Sequence, residues 1–213
     1  LALDVGEPYR ISRALAIESA ARSAGPMGRR LGERMLEQSK ALAKSVGNPH
    51  AIAVSILADG FHATTSGEWK RALLSSEQAL TMLRDHGAGL TWEMNMAQNL
   101  VIWALMYLGE LGEVSRRVPA LLADARSRGN LYLATELCTR SNYAWLAVDE
   151  PDEGERETIQ SIARWSHSGF HRQHYSAMLA RIQTALYRGD AAAAWGLLGE
   201  LDLILRRSHL TRI

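Results

Sequence analysis

The chain has 213 residues, 47% hydrophobic and 22% charged, with a formal net charge of +1. This is a globular composition that argues against disorder and offers no one-signed field for nucleic acid or an anionic membrane. A single cysteine, Cys138, can form neither an internal disulfide nor a zinc cluster alone, so a reducing, cytoplasmic setting is expected. The longest apolar run, 100–108, is far shorter than the roughly 20 residues a bilayer requires.

In chain order, apolar residues at helical spacing predict a helix over 4–23 and, past Ala24-Gly25-Pro26, a partner over 26–46. Gly47-Asn48-Pro49 opens a helix over 49–65. Ser66-Gly67-Glu68 separates it from one over 68–86, where Trp69, Ala72, Ser76, Ala79, Leu80 and Leu83 share a face. His86-Gly87-Ala88-Gly89 leads into 90–107, and Leu108-Gly109-Glu110 into 110–128, where Pro119 predicts a kink or a later start. Arg128-Gly129-Asn130 precedes a helix over 131–147. After Val148-Asp149-Glu150 a helix over 151–168 begins on Pro151, with Asp152, Glu153 and Glu155 where the helix dipole favours negative charge. Ser168-Gly169-Phe170 and Arg188-Gly189-Asp190 introduce the last two helices, 171–187 and 190–207. The chain begins at Leu1 without a basic-then-apolar leader, and Ser208 to Ile213 stop where another helix is expected. The sequence therefore reads as one helical domain excised from a longer chain.

Turn positions 25, 67, 109, 149 and 189 are 40 to 42 residues apart, a spacing typical of helical solenoids. A second kind of turn falls between them, so the elements pair into five helix hairpins. The unit from Gly60 to Ala72, continuing to Ala79-Leu80, resembles a tetratricopeptide repeat through Gly60, Gly67, Trp69, Ala72 and Ala79. Gly189-Asp190 with Ala194 is a shorter match. Gly109-Glu110 keeps the turn but has Val114 and Leu121 in place of the alanines, and Asp149 is followed by Gly154 at the first alanine position. The expected fold is an all-α right-handed superhelical solenoid of about five such hairpins, with a period longer than the usual 34 or so residues. Residues 163–175 and 186–195 resemble the C-terminal tails of multidomain bacterial serine/threonine kinases that carry an ATPase-like module. A second resemblance is to ATP-dependent transcription activators whose helical domain senses an inducer. No Gly-rich phosphate loop and no H-R-D or D-F-G string is present, so neither catalysis nor a cofactor is expected of this chain.

In tetratricopeptide arrays the first helix of each hairpin lines the concave face. The resemblance therefore nominates Asn95, Asn99 and Trp103 on one first helix, Glu136, Thr139, Arg140 and Tyr143 on the next, and Ser176, Gln183 and Tyr187 on the last. Amides, one arginine and aromatic rings suit an extended peptide or a modest polar ligand. The competing reading has Asn95 and Asn99 bonded inside the solenoid and Arg140 paired with Glu136 across one turn. His167, His171 and His174 are read as a loop-to-helix corner packed by Trp165, Phe170 and Tyr175, and no metal is expected. Cys138 is read as a buried structural thiol, the carboxylates at 149–157 as a solvated helix start, and most of the six tryptophans as filling between helix layers. The expected function is a non-catalytic protein-interaction and regulatory domain of a bacterial signalling protein, linked to a serine/threonine kinase. Its partner would be a protein or peptide, including the upstream module of its own chain. The alternative is a small-molecule sensor domain. Neither nucleic acid nor membrane is an expected partner, and uncapped ends would favour oligomers of the fragment.

Overall fold

A computed structural model describes residues 6–23, 28–85 and 89–208. The turn expected at 24–26 and most of that at 86–89 lie outside them. The described residues contain eleven helices and no strand, in two compact units, Leu1–Leu108 and Gly109–Ile213. No helix among them is long and apolar enough to cross a membrane.

The first unit holds α1 (Pro8–Ser23), α2 (Arg29–Val46), α3 (Pro49–Thr65), α4 (Trp69–Arg84) and α5 (Thr91–Leu108). The start of α3 follows from its sequence: Pro49 needs no hydrogen-bond partner for its nitrogen, and Asn48 Oδ1 accepts from the amides of His50 and Ala51 at 2.9 and 3.2 Å. Close approach of α3 and α4 rests on Gly60, where a Cβ would come within 2.5 Å of Ser76 Oγ. Ala72 and Ala79 are fully buried on the facing side. Leu57, Leu80, Leu83, Leu100 and Trp103 form the main apolar cluster across α3, α4 and α5, each side chain contributing on the order of 1.5–3 kcal/mol by burial.

The second unit holds α6 (Leu111–Ser127), α7 (Leu131–Arg140), α8 (Tyr143–Leu146), α9 (Pro151–Ala163), α10 (Arg172–Tyr187) and α11 (Ala191–Arg207). Here two expected boundaries need correction, and of the two effects expected of Pro119 the later start is absent. The helix expected over 131–147 breaks at Ser141-Asn142, because the Asn142 side chain reaches away to α10 and donates to Ala180 O at 3.2 Å and Thr184 Oγ1 at 3.1 Å. Pro119 does not delay α6, which runs through it; the proline sits on the exposed face, where water can reach the carbonyl it leaves unbonded. The helix expected over 151–168 ends at Ala163, and Gly169 (φ +94°) turns the chain into α10. At Gly154, a Cβ would lie 2.7 Å from Asn142 Oδ1 and 3.1 Å from Trp145 Cβ. A repeat alanine is absent there because α9 lies too close to the bend before it.

The turns that recur in the sequence share one backbone conformation. Gly67, Gly109, Asp149 and Gly189 are all left-handed, with φ of +74°, +78°, +60° and +74°. At three of these turns the amide one residue further on reaches back five residues: Glu68 to Ala63, Glu150 to Trp145 and Asp190 to Ala185, at 2.8 to 3.0 Å. Asp149 occupies a conformation that costs a non-glycine residue about 1 kcal/mol, and its carboxylate accepts from Tyr187 OH at 2.8 Å.

Candidate functional site

In the first unit α3 packs against both α1 and α5, and a groove of about 200 Å³ opens over it. Its floor is Leu57, Ala58 and Phe61 of α3; α1 contributes Ala16, Ile17 and Ala20, and α5 contributes Trp92 and Met96. The wall is almost wholly carbon, yet Trp92 is 55% exposed and Ile17 50% exposed at its rim. Small residues on α1 keep the groove open, since longer side chains there would fill it. About one helical turn along, the surroundings become ionic. Arg13 Nη2 donates to Glu93 Oε1 at 3.2 Å, His50 Nε2 lies 3.6 Å from the same oxygen, and Tyr9 OH meets His50 Nδ1 at 2.8 Å. The Arg13 guanidinium also stands 5.6 Å over the Tyr9 ring.

The polar residues nominated from the first helices divide by burial. Asn99, Glu136 and Thr139 are at most 1% exposed, which corrects the expectation that they meet a partner; they lie within the packing. Asn95 and Trp103 are buried as well, with Trp103 part of the main apolar cluster. Ser176 is likewise buried. Arg140 and Gln183 are half-buried, and Tyr143 and Tyr187 are exposed. Glu136 is held from α10: Arg172 donates to both its oxygens, at 2.7 and 3.0 Å, and Gln173 Nε2 donates at 3.2 Å. Of the tryptophans, Trp103 and Trp145 are buried, Trp69 stacks on Tyr107 at 4.1 Å, and Trp92 and Trp195 are exposed, against the reading of most as interior filling. Sequence reasoning missed Ile17, Phe61 and Met96; the available signal was the run of small residues on α1 opposite Trp92.

The remaining clusters are structural. Trp165 Nε1 donates to His171 Nδ1 at 3.1 Å, and the His171 amide donates to His174 Nδ1 at 3.0 Å, closing the start of α10. No group of three or more His, Cys, Asp or Glu side chains among the described residues is placed to hold a metal. The carboxylates at the start of α9 are tied down rather than simply solvated: Arg188 bridges Asp152 and Glu155, and Arg156 holds Glu153.

Two histidines make stability pH-dependent. Burial lowers the pKa of His62, against opposing contributions from the Ser19 carbonyl and the charges of Asp59 and Glu33. Burial, then the neighbouring His171 and His167, lowers that of His174. Both folded values lie below the unfolded value near 6.5, so the unfolded chain takes up these protons first. The associated stability is complete above about pH 6.5 and is lost as pH falls through the folded values. Thermal melts are expected to be flat from pH 7 to 8 and to fall below about pH 6. His174→Gln, which keeps an acceptor at the third helical position without titrating, should flatten that fall; an unchanged slope would exclude His174.

The chain is similar in structure to two solved sets of nearly identical, kinesin light chain-like TPR-like repeats from Podosopora anserina, one of them a single-residue variant. The variant aligns with a TM-score of 0.69 at 16% identity, covering 94% of this chain and 98% of that one. The other aligns with a TM-score of 0.68 at 15% identity, covering 94% and 97%. No protein-family model matches the chain, and no curated protein matches it by sequence. Structural similarity at this level establishes the fold alone: an all-helical arrangement of TPR-like repeats.

Proposed function

We propose that the chain is a non-catalytic protein-interaction and regulatory domain that seats an apolar segment of a partner protein in the groove of its first unit. The observation that carries this reading is the groove itself, a carbon-lined slot with Trp92 and Ile17 left exposed at its edge. Exposed aromatic and aliphatic anchors beside a concave apolar floor are what binding energy concentrates on in peptide recognition. The Arg13–Glu93 pair supplies an ionic end that would orient the segment. In the second unit Arg140, Tyr143, Gln183 and Tyr187 remain candidates for further contact on the first helices. Linkage to a bacterial serine/threonine kinase, with the groove coupled to the upstream module, is supported by the resemblance of residues 163–195 to kinase tails.

The test is selection of peptides from a random twelve-residue library on the immobilised chain, followed by affinity measurement. Selected peptides should carry spaced large apolar residues and bind Ile17→Glu at least about tenfold more weakly. Trp195→Ser, which removes an exposed apolar side chain elsewhere, should leave affinity unchanged. Peptides lacking apolar anchors, or equal binding to Ile17→Glu, would refute the groove.

A further inference from the structure

We infer that a crevice in the second unit binds a small carboxylic acid. It opens between the end of α6, the Gly129-Asn130 turn, one face of α7 and the last turn of α9, with a volume of about 200 Å³. That exceeds the roughly 150 Å³ of a cavity known to hold benzene, so a compact ligand of that scale fits.

The charges around the crevice select the ligand. Cys138 lies on its lining and is fully buried. Burial first, and the Glu157 carboxylate 3.6 Å away second, push its thiol up to about 12. It therefore stays a neutral thiol that neither attacks a ligand nor repels an anion. Glu157 is in turn gripped by Arg126, whose Nη1 donates to Oε1 at 3.1 Å, so that pair adds no net charge. This leaves Arg164, exposed at the C-cap immediately after α9 and on the crevice lining. Among the described residues its guanidinium has no acidic partner.

Thr135 supplies a second polar demand: it lines the crevice, is fully buried, and its Oγ1 has no hydrogen-bond partner. A buried hydroxyl left unpaired is destabilising, and an acceptor on a ligand relieves it. Ser161 of α9 and Asn130 also stand on the lining, and the apolar part of the wall comes from Ala125, Leu131 and Ala134. One available cation, the buried hydroxyls of Thr135 and Ser161 and a short apolar wall match a single carboxylate on a small hydrocarbon body. A phosphate carries more charge than one unpaired guanidinium offsets, and a neutral hydrocarbon leaves Arg164 unused.

The experiment is an amide NMR titration of the intact chain with butyrate and benzoate at constant ionic strength, with butyramide and inorganic phosphate as controls. Saturable shifts are expected at the amides of Gly129, Asn130 and Leu131 with both carboxylates and not with butyramide. Arg164→Gln, a change at an exposed site, should weaken binding about tenfold or more. Ala134→Leu, which fills the crevice with carbon, should abolish it. Absence of saturation, equal shifts with phosphate, or undiminished binding by either variant would overturn the assignment.

Discussion

Replacing Glu136 by alanine is expected to destabilise the second unit by about 3 kcal/mol, the lower end of the range for breaking a buried ion pair. The carboxylate is fully buried and accepts three hydrogen bonds, two from Arg172 and one from Gln173. The same guanidinium donates to Tyr132 OH at 3.2 Å, so one acidic group organises the contact between α7 and α10. Removing it leaves the buried Gln173 amide without this acceptor and Arg172 without its counter-charge. The arginine is 39% exposed and can regain water, which places the loss at the lower end of the range. Glu136→Gln preserves volume but presents an amide where Arg172 needs two acceptors, and should recover less than half of the loss. Urea denaturation followed by far-UV circular dichroism measures both variants. A penalty below about 1 kcal/mol for Glu136→Ala would show that apolar packing alone holds the two helices.

The hairpin architecture was legible because its signals are local. A left-handed turn wants glycine, so Gly67, Gly109 and Gly189 mark it in the sequence, and their spacing placed Asp149 in the same role despite its side chain. Gly60, Ala72 and Ala79 advertise close helix approach in the same way. The break at Ser141-Asn142 was not legible, because its cause is a bond from Asn142 to residues 38 and 42 positions away. The burial of several candidate residues was hidden for a related reason. Asn99, Glu136 and Thr139 are polar residues on first helices, and periodicity assigns them to a helix face without revealing whether another helix covers it. Glu136 is covered and satisfied from α10. The groove was hidden from the opposite direction: Ala16, Ala20 and Ala58 look like packing residues, and only their juxtaposition with exposed Trp92 turns them into a slot.

In the first unit, Asp59→Ala is expected to cost about 2–3 kcal/mol, the scale of lost charge-assisted hydrogen bonds to a mostly buried carboxylate. Asp59 lies on α3 and ties it to both neighbours. It accepts from Lys40 of α2 at 2.6 Å, from Arg71 of α4 at 2.7 and 3.2 Å, and from Ser75 Oγ at 2.7 Å. Lys40 and Arg71 are partly exposed, with side chains 33% and 45% accessible. Water therefore takes over part of their solvation and keeps the loss below that of a wholly buried pair. Burial alone would push the Asp59 carboxyl up; the bonds from Arg71, Lys40 and Ser75 outweigh it and hold the group well below the usual carboxylate range. A depressed folded pKa gives stability that is complete above the unfolded value near 3.9 and lost only as pH falls through the folded one. The Asp59→Ala penalty should therefore not shrink between pH 8 and pH 5; because the Asp59 charge helps His62 to hold a proton, its removal should make the loss somewhat larger at pH 5. Asp59→Asn separates charge from shape. Its amide would set a donor against Lys40 or Arg71, so it should be no more stable than Asp59→Ala. Recovery of most of the loss by asparagine would mean that filling the space between α2, α3 and α4, rather than the carboxylate's charge, is what the position supplies.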